Sequence, residues 1–291
     1  GITCLLVPMD AEGLEVRRAE GKLLALESSL RENPLSGRIG IGHTRWATHG
    51  KPSHRNAHPH RAGTVAVVHN GIIENYNDLR QELEAAGCEI QSDTDTELIA
   101  HLIEAEVVAG EDLLTAVRKA CQRLTGSYAL GALCECDPAH IVAAKNGGSP
   151  MILGLGSGVA FLASDIPAIL PYTRQMTFLE DGNFAVLSED GVQIVDSEGR
   201  PEDREFKTVQ WDPVSAEKGG YDRFMQKEIF EQPRAITDTI GTRAVLANAD
   251  VDLDGISFSR EEVEKIRGIS LVACGTAYYA CMVGRYMIQQ L

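Results

Sequence analysis

The chain has 291 residues, 44% hydrophobic and 24% charged, with a formal net charge of −15, which suits a soluble protein of two ordinary domains with a large core. The acidic excess argues against nucleic acid as the main partner but leaves room for an anionic small substrate at a local positive site. No apolar run reaches the roughly 18–20 residues that cross a bilayer, so no membrane partner is expected.

The opening GITCLLVP reads as a strand and lacks the basic flank of a signal peptide. KLLALESSLREN reads as a short helix with Leu23, Leu24, Leu26 and Leu30 on its apolar side. GRIGIGHTRWA and GTVAVVHNG read as strands, and Asn75 to Ala86 reads as a helix stopped at Gly87. Thr94-Asp95-Thr96-Glu97 has the capping-box pattern of a helix start. The helix it opens places Leu98, Ile99, Leu102, Ile103 and Val107 on one face, and a further helix covers Leu113 to Leu124. SYALGALCE, HIVAAK, MILGLG, VAFLAS, MTFLED, NFAVLSE and VQIVDS then follow as short strands separated by Gly, Asp and Asn turns, the pattern of antiparallel sheets. From Val209 a polar stretch reads as a linker and then a helix. A second unit starts near Ile236 and closes with ISLVACGTAYYACMVGRYM, a buried-type strand, a Gly-Thr turn and a helix. Both ends read as cuts, since Gly1 starts inside a strand and GRYMIQQL stops in mid-helix.

The seven cysteines are odd in number and irregular in spacing, so reduced thiols in a cytoplasmic protein are expected. Cys134 and Cys136 lack the spacing of a metal pair and read as strand residues.

The chemistry concentrates between His43 and Glu97, where six of the eight histidines fall within His43 to His69. HTRWATHG, NAHPH, HNGIIENY, SDTDTE and MQKEIFEQP, in this order and spacing, closely resemble the isomerising glutamine–fructose-6-phosphate aminotransferase family. HNG and TDTE alone indicate only a class II amidotransferase; MQKEIFEQP and CGTAYYA make the match specific.

The resemblance implies an α+β fold of the N-terminal nucleophile hydrolase type, an αββα sandwich, at positions 1–215, incomplete at its N-terminus. A linker at 216–234 and the start of an α/β sugar-isomerase (SIS) domain at 235–291 follow. It implies that L-glutamine and D-fructose 6-phosphate give D-glucosamine 6-phosphate and L-glutamate, the first step of amino-sugar synthesis, without a cofactor, in a cytoplasmic homo-oligomer. Amide hydrolysis needs a nucleophile, a base, an oxyanion hole and clamps on the substrate ends. In the family the nucleophile is an N-terminal cysteine with its own α-amine as base, a group that titrates near ~8. Asn70 and Gly71 match the oxyanion hole, where losing one donor typically costs ~3 kcal/mol of barrier. Arg45 matches the clamp on the α-carboxylate and Asp95 the partner of the α-ammonium. Trp46, Thr48 and His49 share the loop that folds over glutamine, and His58 orders the NAHPH segment. Gly275 and Thr276 match the sugar-phosphate turn at a helix start. Ala277 stands where many members carry Ser, which takes it out of the binding set.

The family's opening Cys-Gly-Ile-Val-Gly is missing here. Gly1-Ile2 aligns with the end of its later Tyr-Arg-Gly-Tyr-Asp-Ser-Ala-Gly segment. Cys4 has no free amine beside it and reads as a structural strand cysteine. The expectation is that these 291 residues alone neither hydrolyse glutamine nor make amino sugar. Rival readings are a metal site at His43, His49, His58 and His60, for which no familiar zinc spacing exists, a non-catalytic glutamine-binding module, and another class II amidotransferase. In isolation Asp95 is also a helix-dipole carboxylate, Arg45 a strand-end ion pair, Asn70-Gly71 a turn dipeptide, and the Gly-Thr turn mere strand–helix punctuation.

Overall fold

Continuous apolar strands need cover on both faces, and the run from Tyr128 to Cys134 finds it, buried throughout. The computed structural model describes residues 9–10, 13–21, 23–35, 37–45, 53–210, 221, 223–240, 244–245, 250–251 and 258–290. The chain divides into two compact units, Gly1–Glu217 and Lys218–Leu291. In the first, the strands are β1 (Met9–Asp10), β2 (Gly13–Leu14), β3 (His60–Ala62), β4 (Val65–Ile73), β5 (Gly126–Cys134), β6 (Asp137–Asn146), β7 (Ile152–Gly156), β8 (Val159–Ala163), β9 (Gln175–Phe178), β10 (Phe184–Ser188), β11 (Gly191–Val195) and β12 (Lys207–Thr208). The helices are α1 (Leu23–Glu32), α2 (Tyr76–Ala85), α3 (Asp95–Val108), α4 (Leu113–Gln122) and the one-turn α5 (Ile166–Ile169).

Two antiparallel sheets carry the unit: six strands in the order β11-β10-β6-β5-β4-β3, and four in the order β12-β9-β7-β8. The two-residue period of β5 sends Tyr128, Leu130, Ala132 and Cys134 into the core beneath α2, α3 and α4. Ala129 joins Ala143, Leu153, Ala185 and Leu187 between the sheets. Small residues let the sheets approach there: a Cβ on Gly131 meets Leu162 Cδ2 at 3.0 Å. A smaller cluster of Ile152, Ile169, Leu170 and Met176 joins the second sheet to α5. These layers match the αββα sandwich implied by the resemblance, with α5 as the described part of the outer helix layer, and all seven predicted strands from Ser127 onward form within it.

α2 ends as predicted. Gly87 takes φ 88°, Cys88 N–H donates to Leu83 O at 2.9 Å and Gly87 N–H to Glu84 O at 3.0 Å, the paired bonds of a Schellman turn. α3 buries Leu98, Ile99, Leu102 and Ile103, with Val107 partly buried against the same core.

Several expectations fail. Residues 37–45 form no regular strand, although Ile39 and Ile41 pack with Leu14, Val68 and Leu133. Leu26 is the buried residue of α1, while Leu23 and Leu24 face solvent. No capping box forms at Thr94, because the carboxylate of Glu97 accepts from Gln91 N–H at 2.8 Å and from Ser92 N–H instead. Cys134 and Cys136 are joined by a disulfide: the β5–β6 turn brings their Cα atoms to 5.1 Å, within bridging reach, and leaves Cys136 outside either strand. Cys88, Cys121, Cys274 and Cys281 are free thiols. The Gly1–Pro8 strand, with Cys4, lies outside the described residues.

The second unit holds α6 (Phe224–Ile240), the pair β13 (Ala244–Val245) and β14 (Asp250–Val251), α7 (Arg260–Lys265) and α8 (Gly275–Ile288). Ser259 caps α7 with a complete capping box. The predicted strand over Ile269–Cys274 does not form. No described strand pairs with it, and Val272 is 91% exposed.

Candidate functional site

The site grows from the end of β4 and the start of α3. Val65 and Val67 face the helices while Ala66 and Val68 face the other way. This alternation turns His69 toward α3, where its Nδ1 lies 3.0 Å from Thr96 Oγ1, and Asn70 toward the opposite face. Gly71 follows at φ 135°, and a Cβ there falls 2.0 Å from Ser127 O, so the backbone passes too close to β5 for any side chain.

Asp95 is held from three sides. Its Oδ2 accepts the Ile73 N–H at 3.0 Å. Thr94, before it, pairs through Oγ1 with His60 Nε2 at 3.0 Å and with Ser92 Oγ at 2.9 Å, and Thr96, after it, meets His69. The carboxylate is therefore buried and fixed at the first turn of α3, where a negative charge also suits the helix dipole.

Arg45, His58, Asn70, Gly71 and Asp95 line one cavity of about 370 Å³, joined by His43, His69, Ile72, Thr94, Thr96, Ser149 and Pro150. That volume falls in the roughly 300–1,000 Å³ range of small-molecule sites. Arg45 is buried; desolvation lowers its pKa and the Asp95 carboxylate opposes that shift. A guanidinium stays charged in proteins, so a fixed cation and a fixed anion share this cavity.

Burial disfavours the charged form of His43, His58 and the neighbouring His60. Burial takes His58 well below its ordinary value, and His43, His60, His69 and Arg45 push the same way. Burial lowers His60 to about 3, with Arg18 adding to the shift and Glu97 opposing it. Desolvation also lowers His43, against the hydrogen bond to Asn70. Burial alone raises the Glu97 carboxyl, but hydrogen bonds from Ser92 and Gln91, with the His101 ring 3.9 Å away, override it and bring it to about 2. The rings pack on one another, His43 on His58 with centroids 4.1 Å apart and His58 edge-on to His60 at 5.1 Å. Among the described residues no group of three His, Cys, Asp or Glu side chains is arranged to hold a metal ion.

Of the residues picked from sequence, the cavity brings together Arg45, His58, Asn70, Gly71 and Asp95. Trp46, Thr48 and His49 lie outside the described residues. Gly275 and Thr276 belong to the second unit, at the N-terminus of α8. Sequence reading named His43 only as a rival metal ligand and missed His69, Ile72, Thr94 and Thr96 as site residues, although HTRW, HNGIIENY and SDTDTE contain them. It also missed Ser149 and Pro150, which carried no motif.

Residues 43–171 match the glutamine amidotransferase domain family. Over 280 residues the chain is 49% identical to the glutamine–fructose-6-phosphate aminotransferase (isomerising) of Clostridium tetani, covering 96% of this chain and 45% of the relative. It is 50% identical over 278 residues to that of Symbiobacterium thermophilum, covering 95% and 45%. It is 48% identical over 282 residues to that of Thermus thermophilus, covering 96% and 45%. The chain thus spans 45% of the length of these relatives. Among solved structures, a glutamine phosphoribosylpyrophosphate amidotransferase from B. subtilis, complexed with ADP and GMP, aligns with TM-score 0.58 and 25% identity over 67% of this chain and 43% of that one.

Proposed function

We propose, from the premise that this chain is a homologue of the isomerising glutamine–fructose-6-phosphate aminotransferases and carries a glutamine amidotransferase domain, that its cavity binds L-glutamine for amide hydrolysis. In the full-length protein the released ammonia converts fructose 6-phosphate to glucosamine 6-phosphate. One observation carries the reading: a buried cation, a buried anion and an Asn-Gly corner line a single cavity of about 370 Å³.

The chemistry divides among these groups. The forked guanidinium of Arg45 suits the α-carboxylate of the substrate, through two parallel charged hydrogen bonds. Asp95 suits the α-ammonium. Gripped by both ends, the amino acid directs its side-chain amide toward Asn70 and Gly71. As the amide carbon becomes tetrahedral, its oxygen gains negative charge. The Asn70 Nδ2–H and the Gly71 N–H are donors of the kind that stabilise such an oxyanion. The resemblance assigns the nucleophile and base to an N-terminal cysteine. None of the described cysteines lines this cavity, so the residues here are assigned binding and oxyanion stabilisation, with no bond-making step.

His58 packs between His43 and His60 and keeps the floor of the site neutral. Trp46, Thr48 and His49 belong to the covering loop in this reading. Gly275 and Thr276 hold the sugar phosphate, supported by their position at the start of α8, where free N–H groups attract phosphate. The reading includes a cytoplasmic homo-oligomer. Among the described residues no helix is long and apolar enough to cross a membrane.

The test is glutamate release by the full-length protein, with and without fructose 6-phosphate, alongside glutamine calorimetry on the wild type and on Arg45→Ala. Wild-type turnover with binding lost in the variant is the expected result. Absence of glutamine binding by the wild type overturns the proposal.

A further inference from the structure

We propose that His43 is a positioning residue for glutamine hydrolysis: it donates Nε2–H to Asn70 Oδ1 and so turns the Asn70 Nδ2–H into the cavity. The inference rests on the function proposed above and adds to it by naming what orients the oxyanion donor.

Asn70 needs such a partner. Its backbone is fixed in β4 opposite Ala129, but the terminal torsion of an asparagine is broad and roughly two-fold, so the backbone does not select which end of the carboxamide faces inward. The choice decides the chemistry. An inward Nδ2–H stabilises a developing oxyanion, while an inward Oδ1 repels it.

His43 Nε2 lies 2.8 Å from Asn70 Oδ1. A neutral imidazole carries one ring proton, so its tautomer sets the direction of this bond. His43 Nδ1 is buried and has no hydrogen-bond partner among the described residues. An orphaned buried N–H is rarer in proteins than an under-satisfied acceptor, so the proton belongs on Nε2. That tautomer has only a donor to offer Asn70, which must answer with its oxygen. Reversing the carboxamide sets N–H against N–H. The ring itself is braced by His58, with centroids 4.1 Å apart and planes tilted by 35°. Burial and the nearby charge of Arg45 both disfavour a second ring proton.

The experiment uses the full-length protein with L-glutamine as substrate, comparing His43→Phe, His43→Gln, Asn70→Ala and the double variant His43→Phe/Asn70→Ala. Phe keeps the ring packing and removes the donor; Gln restores an N–H. In His43→Phe kcat falls about 10- to 100-fold with KM for glutamine within about two-fold, part of the 10²–10³ that losing an oxyanion donor brings. His43→Gln recovers most of that loss, and the double variant is no slower than Asn70→Ala alone, since the two residues act as one unit. Nitrogen-15 NMR of the labelled wild type shows His43 Nε2 protonated and Nδ1 bare. A proton on Nδ1, a change in KM alone, or losses that multiply in the double variant overturn the inference. If His43→Phe does not fold, the Gln variant and the NMR decide it. An active wild type with unimpaired His43 variants defeats this inference alone, whereas a wild type that neither binds nor hydrolyses glutamine defeats the proposed function as well.

Discussion

The two sites picked from sequence differ in how the fold holds them. Around Asp95 the polar groups hold one another: Ile73 N–H donates to its carboxylate, Thr94 pairs with buried His60, Thr96 with buried His69, and Asn70 with partly buried His43. At Gly275 and Thr276 the helix N-cap Cys274 makes no side-chain hydrogen bond, and none of the described residues of α8 is buried. The first arrangement is preorganised, in that its groups are set before a ligand arrives. Among the described residues, the second offers helix N–H groups with no buried side chain on its own helix. Preorganisation is what gives charge-stabilising groups their leverage on a reaction, so substitutions in the first region are expected to outweigh those in the second.

Four measurements break or sharpen that contrast, in descending order of effect. Gly71→Ala places a methyl group against Ser127 O at a φ of 135°. It lowers stability by about 3 kcal/mol or more, read by thermal unfolding. A normal melting temperature breaks the claim that this corner is sterically fixed. Asp95→Asn keeps the shape but removes the charge; glutamine KM rises about 10- to 100-fold, corresponding to about 1.5–3 kcal/mol for a charged hydrogen bond. An unchanged KM assigns Asp95 to the helix dipole alone.

The third is pH dependence. Unfolded imidazoles titrate near 6.5, while folded His60 stays neutral down to about 3 and folded His58 also lies well below 6.5. Below pH 6.5 the unfolded chain therefore binds more protons than the folded one, so stability falls as pH falls, by about 1.4 kcal/mol per pH unit for each such ring. Glu97, lowered from 4.5 to about 2, adds a loss of the same sign below pH 4.5. Urea titrations between pH 7 and 5 isolate the imidazoles, and His60→Gln flattens the slope. A slope unaltered by that change removes His60 from the account. The smallest effect is Thr276→Ala: stability changes by less than about 0.5 kcal/mol, as at an exposed surface position, and KM for fructose 6-phosphate rises only a few-fold. A loss as large as that of Asp95→Asn erases the contrast.

Much of the fold was legible because its signals are local. Short runs separated by Gly, Asp and Asn turns gave the strands from Ser127 to Ser197, the stop at Gly87 marked the end of α2, and one apolar face gave α3. What failed depended on distant partners. Ile269–Cys274 has the composition of a buried strand but no described strand pairs with it, and an isolated strand cannot satisfy its own backbone. Glu97 matched a capping box, yet Gln91 and Ser92 claimed its carboxylate first. The Cys134–Cys136 bridge depends on the turn geometry at the end of β5, which the spacing does not announce. Within the site, Arg45, Asn70, Gly71 and Asp95 were readable as motif residues, whereas Ser149 and Pro150 arrive by folding from a segment with no chemical signature. His43 was visible as a residue, but its hydrogen bond to Asn70 required coordinates.

The double-sided strand β5 carries one more consequence. Tyr128, Leu130 and Ala132 point to the helices, and Ala129 points to the other sheet. Deleting or inserting a single residue within this strand exchanges the two sets, driving bulky side chains into the narrow gap between sheets and leaving voids under the helices. Codon-length indels should therefore be lethal to folding here.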